Sequence, residues 1–468
     1  MDNLLVMKFG GTSMGSADRI RVSAGLAAEQ HAHGPIVVVV SAMSKITDLL
    51  LDTLRKAEAG DQADLEANLH QLSSRHMECC NLLLPAARQP AALAGIHALI
   101  QDFSRIAKGI LMLGERPPRS VDEAIAVGER LSALLMAEYL EAQGIPAAAV
   151  NAAEVIATDA LFGNASPLME QTRQRAAKVL RPLLEKRVLP VVTGFNGSTL
   201  DGRPTTLGRG GSDFSASILA AALEARELWI WTDVDGIMTA DPRLAPNAQV
   251  LDAITYAEAA ELAYNGAKVL HPRTLAPLAE RGIPVWSKNS FAPEKRGTRI
   301  VPKVESVQGV HAVTSMADVA LVSIEPASAA LSGTKVMARS LDALARANVE
   351  LLAITSSSYQ QSFCFLVRQS ELERAKEFLE EDLALEFAHG YLKPLQVDPH
   401  VGLIAVVGEG MRGTPGLAGR IFTAISQHKI NIIAIAQGSS ELTIAIVVSR
   451  SGMEKAVRAV HDECGLGK

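Results

Sequence analysis

Apolar, β-branched runs bounded by glycine or proline recur through the first three hundred residues. "LLVMKF" (4–9) and "PIVVVVSAM" (35–43) come first; "GIPAAAVN" (144–151), "VLPVVTGF" (188–195), "ELWIWTDV" (227–234) and "GIPVWSKN" (282–289) follow. Runs that stay apolar predict strands covered on both faces, as in a parallel sheet. Residues 17–33 have helical composition, and residues 45–140 are helix-like almost throughout, rich in Ala, Leu, Glu and Arg. Strands alternating with helices predict an α/β domain ending near residue 300. "APEKRGTRIVPK" (292–303) reads as its exit and a linker.

The pattern then repeats itself. "RSLDALARANVELLAITSSSYQQSFCFLV" begins at Arg339 and "RIFTAISQHKINIIAIAQGSSELTIAIVV" at Arg420, an ungapped offset of 81 residues. Val349 matches Ile430, Ala353 matches Ala434, and Phe363 matches Ile444. Upstream, "VALVSIE" (319–325) echoes "VGLIAVV" (401–407). Each copy reads strand, helix, strand, strand, helix, a small α+β module used twice. Two such modules behind a larger domain suggest regulation or assembly.

Composition narrows the functions open to the chain. Its 468 residues suffice for two to four domains, and 48% hydrophobic with 21% charged residues is an ordinary globular balance. A net charge of −6 argues against a nucleic-acid partner, which favours a basic domain. The four cysteines have no metal-ligand spacing, and Cys79 and Cys80 are adjacent, so a reducing, cytoplasmic setting is expected. No apolar run has the length of a membrane span, and the N-terminus lacks a basic region followed by a long apolar core. No membrane association is expected.

The candidate chemistry lies at strand ends. In "MKFGGTSMGS" (7–16), Lys8 precedes Gly10 and Gly11 between a predicted strand and helix. Backbone N–H groups there, with the helix dipole, form an anion site, and lysine is a point charge for phosphate. "TTLGRGGSDFSAS" (205–217) repeats the theme with Gly208, Arg209, Gly210, Gly211 and Asp213. Asp213 has a second reading as an N-cap, which leaves Arg209 and three glycines in four residues unexplained. Two glycine nests, one with a lysine and one with an arginine and a carboxylate, suit phosphoryl transfer. "WIWTDVDGIMTADPR" (229–243) ends a strand at Thr232 and Asp233, a position that favours a ligand. "AYNGAKVLHPRTL" (263–275) sets Lys268 in a turn, with His271 before a proline in a structural role. "VVGEGMRG" (406–413) is a literal G-x-G-x-x-G, but it belongs to the repeat, and too little chain follows it for a dinucleotide-binding domain.

Together these blocks resemble the aspartokinases of the amino-acid kinase family. The stretches are KFGGTS (8–13), VVSAMSKIT (39–47), VGERLS (127–132), TTLGRGGSD (205–213), WTDVDG (231–236), TADPR (239–243) and GAKVLHPRT (266–274), in order along nearly the whole chain. The resemblance implies a three-layer α/β kinase domain with a mostly parallel sheet over residues 1–300. Two α+β, ferredoxin-like ACT domains would follow at 301–395 and 396–468. The implied reaction moves the γ-phosphoryl group of ATP, with Mg²⁺, to the β-carboxylate of L-aspartate. This is the first step toward lysine, threonine and methionine.

The same resemblance implies residue roles. Lys8 would hold the moving phosphoryl group, with Gly10 and Gly11 as N–H donors. Asp213 would orient Lys8 and the other cationic groups. Arg209 would fork onto a substrate carboxylate, Glu129 would hold the substrate ammonium, and Ser41 and Thr47 would hydrogen-bond the substrate. Thr232, Asp233, Arg243 and Lys268 would line the nucleotide, and no dedicated protein metal site is implied. Dimerisation through the ACT domains and an amino-acid effector, threonine or lysine, are expected. The chain looks most like the threonine-sensitive type without a fused dehydrogenase.

Departures are informative. Met238 and Asn265 stand where many relatives carry Tyr and Phe. The effector segment survives in the second copy as Asn431 and Gln437-Gly438-Ser439-Ser440-Glu441. The first copy has Glu350 and Ser356-Ser357-Ser358-Tyr359-Gln360 there, and "EPASAALSG" (325–333) replaces its glycine loop. The first ACT copy is therefore expected to have a degenerate effector site.

Overall fold

The first apolar run becomes a strand in the middle of a sheet. The structure, a computed structural model, describes residues 3–467 except 268, 305–308, 328–331 and 358–361. It divides into two compact units: Met1–Ile237, Asp252–Tyr256 and Leu270–Lys303 form one, and Met238–Leu251, Ala257–Val269 and Val304–Lys468 the other. In chain order the elements begin with β1 (Leu5–Phe9), α1 (Ala17–His33), β2 (Ile36–Val40), α2 (Ile46–Glu58), α3 (Gln62–Leu83), α4 (Gln89–Leu113), α5 (Pro118–Ile125) and α6 (Val127–Ala142). Next come β3 (Ala147–Val150), α7 (Met169–Glu185), β4 (Leu189–Thr193), β5 (Asn196–Ser198), β6 (Pro204–Thr206), α8 (Gly211–Ala222), β7 (Glu227–Thr232) and β8 (Ala253–Thr255). Then follow α9 (Tyr256–Tyr264), α10 (Pro272–Ala279), β9 (Val285–Asn289) and β10 (Thr298–Val301).

An eight-stranded sheet runs β3-β4-β2-β1-β7-β9-β10-β8. Its strands are parallel from β3 to β9, and β10 runs antiparallel to β9. Every residue of β1 and β2 is buried, Lys8 of β1 included, as runs covered on both faces predict. Helices α1 and α6 cover one face and α7 and α8 the other, giving three layers; α2, α3 and α4 pack beyond α6. Met7, Phe9, Val38, Val40, Ile20, Leu131 and Leu135 share one core, each stabilising the fold by roughly 1.5–3 kcal/mol on burial.

The stretch 292–303 is not only a linker. Residues 298–301 within it form β10, where Thr298 and Ile300 are buried against β9 while Arg299 and Val301 are half-buried. The strand is only four residues long and follows the charged "EKRG", so its alternation was too short to stand out. Gly297 makes the turn at φ +80°, and a Cβ there would lie 2.1 Å from the Ser287 carbonyl oxygen.

The second unit continues with β11 (Ala312–Met316), β12 (Val319–Ile324), α11 (Gly333–Arg346), β13 (Ala353–Ser356), β14 (Phe363–Arg368), α12 (Leu372–Asp382), α13 (Ala384–Ala388) and β15 (Gln396–Asp398). The second copy is β16 (Val401–Val407), α14 (Leu417–Gln427), β17 (Ile432–Gln437), β18 (Thr443–Ser449) and α15 (Met453–Glu463). Both copies keep the strand-helix-strand-strand-helix order, in four-stranded antiparallel sheets ordered β13-β14-β12-β15 and β11-β16-β18-β17. Two strands cross the linear boundary. Ala312–Met316, within 301–395, pairs with β16, and Gln396–Asp398, within 396–468, pairs with β12. Strand pairing is non-local, whereas the ranges followed chain order. Leu321, Leu366, Leu403 and Val447 pack the two sheets together. Among the described residues, no helix is long and apolar enough to cross a membrane.

Candidate active site

Lys8 lies on β1, between Val39 of β2 and Ile230 of β7. A lysine inside a sheet is costly to bury without a partner. Its Nζ is 2.5 Å from Oδ1 of Asp213, in the first turn of α8. The N-cap position of α8 belongs to Gly210, left-handed at φ +69°, so the Asp213 carboxylate serves Lys8 rather than the cap. A carboxylate in a first helical turn is also favoured by the helix dipole.

The two glycines after Lys8 do different work. The Gly10 N–H donates to the Trp231 carbonyl at 3.1 Å, so it is not free to hold a phosphate as the sequence reading expected. A Cβ on Gly11 would lie 3.1 Å from the Ala42 carbonyl oxygen, which marks close approach of the β1–α1 and β2–α2 loops.

Glu129 sits in the first turn of α6, only 3% exposed. Its Oε1 accepts the Ala42 N–H at 3.1 Å, while Oε2 has no hydrogen-bond partner. Burial pushes its carboxyl up to about 8, and the charge on Lys8 acts the other way. An orphaned, buried carboxyl oxygen is satisfied by holding a proton or by an arriving cation. Ser41 follows β2, is half-buried, and donates its N–H to the Phe9 carbonyl at 3.1 Å. Thr47 is half-buried at the second position of α2.

Arg209 is exposed in the glycine turn that opens α8 and has no ion pair among the described residues. Asp122 on α5 anchors the strand leading into that turn. It accepts from the Thr206 N–H at 2.9 Å, the Thr206 hydroxyl at 2.7 Å and the Gly163 N–H at 2.8 Å. Arg273 reaches from α10 to Asn164 and to the Ala165 carbonyl. The sequence reading missed Asp122, because one carboxylate among "SVDEAI" carries no local signal. His271 caps α10 by accepting from the Arg273 N–H at 3.3 Å, the structural role expected of it.

At the end of β7, the Thr232 hydroxyl donates to Asp233 at 3.1 Å, and the Thr232 carbonyl accepts from the Ser290 N–H. Ser290 joins this edge to the first glycine loop, its hydroxyl 2.7 Å from that of Ser13. Arg19 donates to the Ser290 carbonyl and hydroxyl and lies 3.4 Å over the Phe291 ring. Ser13 lies in the KFGGTS stretch, whereas Arg19, Ser290 and Phe291 carry no local signal in the sequence. Lys8, Ser41, Glu129 and Asp213 thus gather within the first unit, at the strand ends where open parallel sheets bind ligands. Arg243 belongs to the second unit, where it is exposed and paired with Asp241. Lys268 lies outside the described residues.

In the second unit, Gln437 ends β17 and helps line a cavity of about 300 Å³ with Met411, Thr414, Leu417, Glu441 and Ile444. Asn431 lies just before the opposite end of that strand. Six residues of strand span about 20 Å, so one small amino acid does not touch both within this chain. In the first copy, Ser356 ends β13 and Glu350 pairs with Arg368 at 3.5 Å; Ser358, Tyr359 and Gln360 lie outside the described residues.

Residues 3–289 match the Amino acid kinase family, and residues 404–464 match an ACT domain. The bifunctional aspartokinase/homoserine dehydrogenase 1 of Arabidopsis thaliana is 33% identical over 475 residues, covering 100% of this chain and 52% of that protein. The chain spans about half the length of the bifunctional relatives it matches. An aspartokinase of Schizosaccharomyces pombe is 31% identical, with 98% of this chain and 92% of that protein covered. Among solved structures, E. coli aspartokinase III in complex with aspartate and ADP superposes with a TM-score of 0.84 at 30% identity, covering 98% of this chain and 99% of that one.

Proposed function

The chain belongs to the amino acid kinase family, and we propose that it is an aspartate kinase, transferring the γ-phosphoryl group of ATP to the β-carboxylate of L-aspartate to give 4-phospho-L-aspartate. The observation that carries this reading is the Lys8–Asp213 pair beside the open carboxyl oxygen of Glu129. Lys8 supplies positive charge where the phosphoryl group moves, and Asp213 holds it in place. Glu129 receives the substrate ammonium, and Arg209 meets a carboxylate in a planar, bidentate fork. The attacking carboxylate is already ionised at neutral pH, so the transfer needs no general base.

ATP lies along the ends of β1 and β7, with Thr232 and Asp233 beside it. Mg²⁺ would be held mainly by the ATP phosphates, whose oxygens suit a hard cation, and would neutralise their charge. Regulation rests on the ACT modules assigned to 301–395 and 396–468. The cavity beside Gln437 is the candidate effector site, with threonine or lysine as its ligand, and the modules pair two copies of the chain.

Trapping with hydroxylamine tests the reading. Protein, ATP, Mg²⁺ and L-aspartate should yield aspartyl hydroxamate, with little product from L-glutamate, whose extra methylene displaces the attacking oxygen. Equal kcat/KM for the two acids, or no product from either, overturns it.

A further inference from the structure

We propose that Arg19 is a positioning residue for the nucleotide. Through Ser290 and Ser13 it fixes the glycine loop after β1 against the ends of β7 and β9, and so governs the affinity for ATP rather than for aspartate. The inference rests on the aspartate-kinase reading, which lays ATP along the ends of β1 and β7.

The ladder of the sheet stops short of the loops. Its last pairs here are Phe9 with Trp231 and Thr232 with Asn289. Beyond them β1 runs into the glycine loop, where the N–H groups of Gly11, Thr12 and Ser13 have no acceptor among the described residues. Successive open donors in a turn suit an anion. They serve a nucleotide only at a fixed distance from the strand ends that hold the rest of it, and side chains set that distance. The Ser13 and Ser290 hydroxyls are 2.7 Å apart, and the Ser290 hydroxyl donates to the Thr232 carbonyl at 3.1 Å. Ser13 is 0% and Ser290 1% exposed, so both hydroxyls depend on protein partners.

Arg19 closes the connection. A guanidinium only donates, so its bonds to the Ser290 carbonyl at 2.7 Å and hydroxyl at 2.9 Å make that hydroxyl an acceptor. The Ser290 proton then goes to Thr232, and the remaining lone pair takes the Ser13 proton. All the protons point toward the strand end beside the nucleotide. Arg19 is itself held, lying 3.4 Å over the Phe291 ring. Its helix, α1, also fastens the loop, since the Ser23 hydroxyl donates to the Ser13 carbonyl at 2.8 Å. The groups assigned to aspartate, Glu129 on α6 and Arg209 before α8, share no hydrogen bond with this connection among the described residues.

The test measures KM for ATP and for aspartate in the full-length wild type, Arg19→Gln, Ser290→Ala, Phe291→Leu and the double variant Arg19→Gln/Ser290→Ala, with melting curves to establish folding. Arg19→Gln should raise KM for ATP about ten- to a hundredfold, the range of a charged hydrogen bond, and leave KM for aspartate within about twofold. A general loosening of the fold would move both. Ser290→Ala keeps the carbonyl acceptor and the Arg19 charge, so it should raise KM for ATP about two- to tenfold. The double variant should be no worse than Arg19→Gln alone, because both changes cut one connection. Phe291→Leu, at an exposed ring, should shift KM for ATP the same way and carries the test if the other variants do not fold. An unchanged KM for ATP in the folded, active variants, or equal rises in both KM values, overturns the inference alone. So does an effect of Arg19→Gln that Ser290→Ala does not share, which would be an effect of charge. A wild type inactive toward aspartate overturns the reading beneath. Titration calorimetry of ADP with Mg²⁺ into the same proteins then decides the positioning role: weaker binding in Arg19→Gln and Ser290→Ala supports it, and equal binding or none overturns it.

Discussion

Lys8 Nζ and Asp213 Oδ1 stand 2.5 Å apart, joining the middle of the sheet to the first turn of α8. The pair holds a cation where strand ends and a helix N-terminus converge. Charge that develops only during transfer is stabilised by such a group mainly in the transition state. Lys8→Ala should therefore lower kcat by about a hundred- to a thousandfold and change KM for aspartate little. Steady-state kinetics check this, and near-normal turnover would remove Lys8 from the phosphoryl site.

Arg209 differs from Lys8 in being exposed and unpaired. Among the described residues its removal breaks no hydrogen bond or ion pair, so Arg209→Ala should leave thermal stability within about 0.5 kcal/mol of wild type. It should raise KM for aspartate about tenfold or more, because a charge-assisted bond to a carboxylate already present in the ground state is worth about 1.5–3 kcal/mol. A variant that lowers kcat at unchanged KM would contradict that role.

Glu129 predicts a pH dependence of stability. Burial raises its carboxyl from 4.5 to about 8. Between those values the folded chain keeps a proton that the unfolded chain has released. The contribution is fully present below 4.5 and is lost as pH rises through 8. Glu129→Gln lacks this loss, so its melting temperature should gain on wild type, by several degrees, between pH 5 and pH 8. An ammonium beside Oε2 reverses the shift, so aspartate binding at pH 7 should release a proton. Titration calorimetry in buffers of different ionisation enthalpy measures the release; parallel melting curves and no release would dismiss the ammonium subsite.

Much of this arrangement was legible in the chain. The apolar runs announced β1 and β2, and the 81-residue offset announced both small modules. Lys8 and Asp213 stood out because each accompanies glycines at a strand-helix junction. What stayed hidden depends on contacts distant in sequence. The bond between Ser13 and Ser290 spans 277 residues, and Asp122 reaches Thr206 across 84. The exchange of β11 and β15 between sheets is of the same kind, since either strand pairs acceptably by its own pattern. Gly10 shows the converse error. A glycine after a strand suggested a free N–H, but its neighbour Trp231 supplies the acceptor.

The effector site gives the last prediction. Gln437 reaches the cavity beside α14, where Glu441 accepts the Gly413 N–H at 2.7 Å. An amide there offers both a donor and an acceptor to an amino acid's charged ends. A hydrogen bond to a charged group is worth about 1.5–3 kcal/mol, so Gln437→Ala should weaken feedback inhibition roughly ten- to a hundredfold. Asn431→Ala, at the other end of β17, should not reproduce that loss in a single chain. Ser356→Ala should do little, because in the first copy this short hydroxyl stands where the second has the longer amide of Gln437. Isothermal titration of threonine and of lysine into the wild type and the three variants checks each step. Binding abolished by Ser356→Ala but intact in Gln437→Ala would move the effector site to the first module.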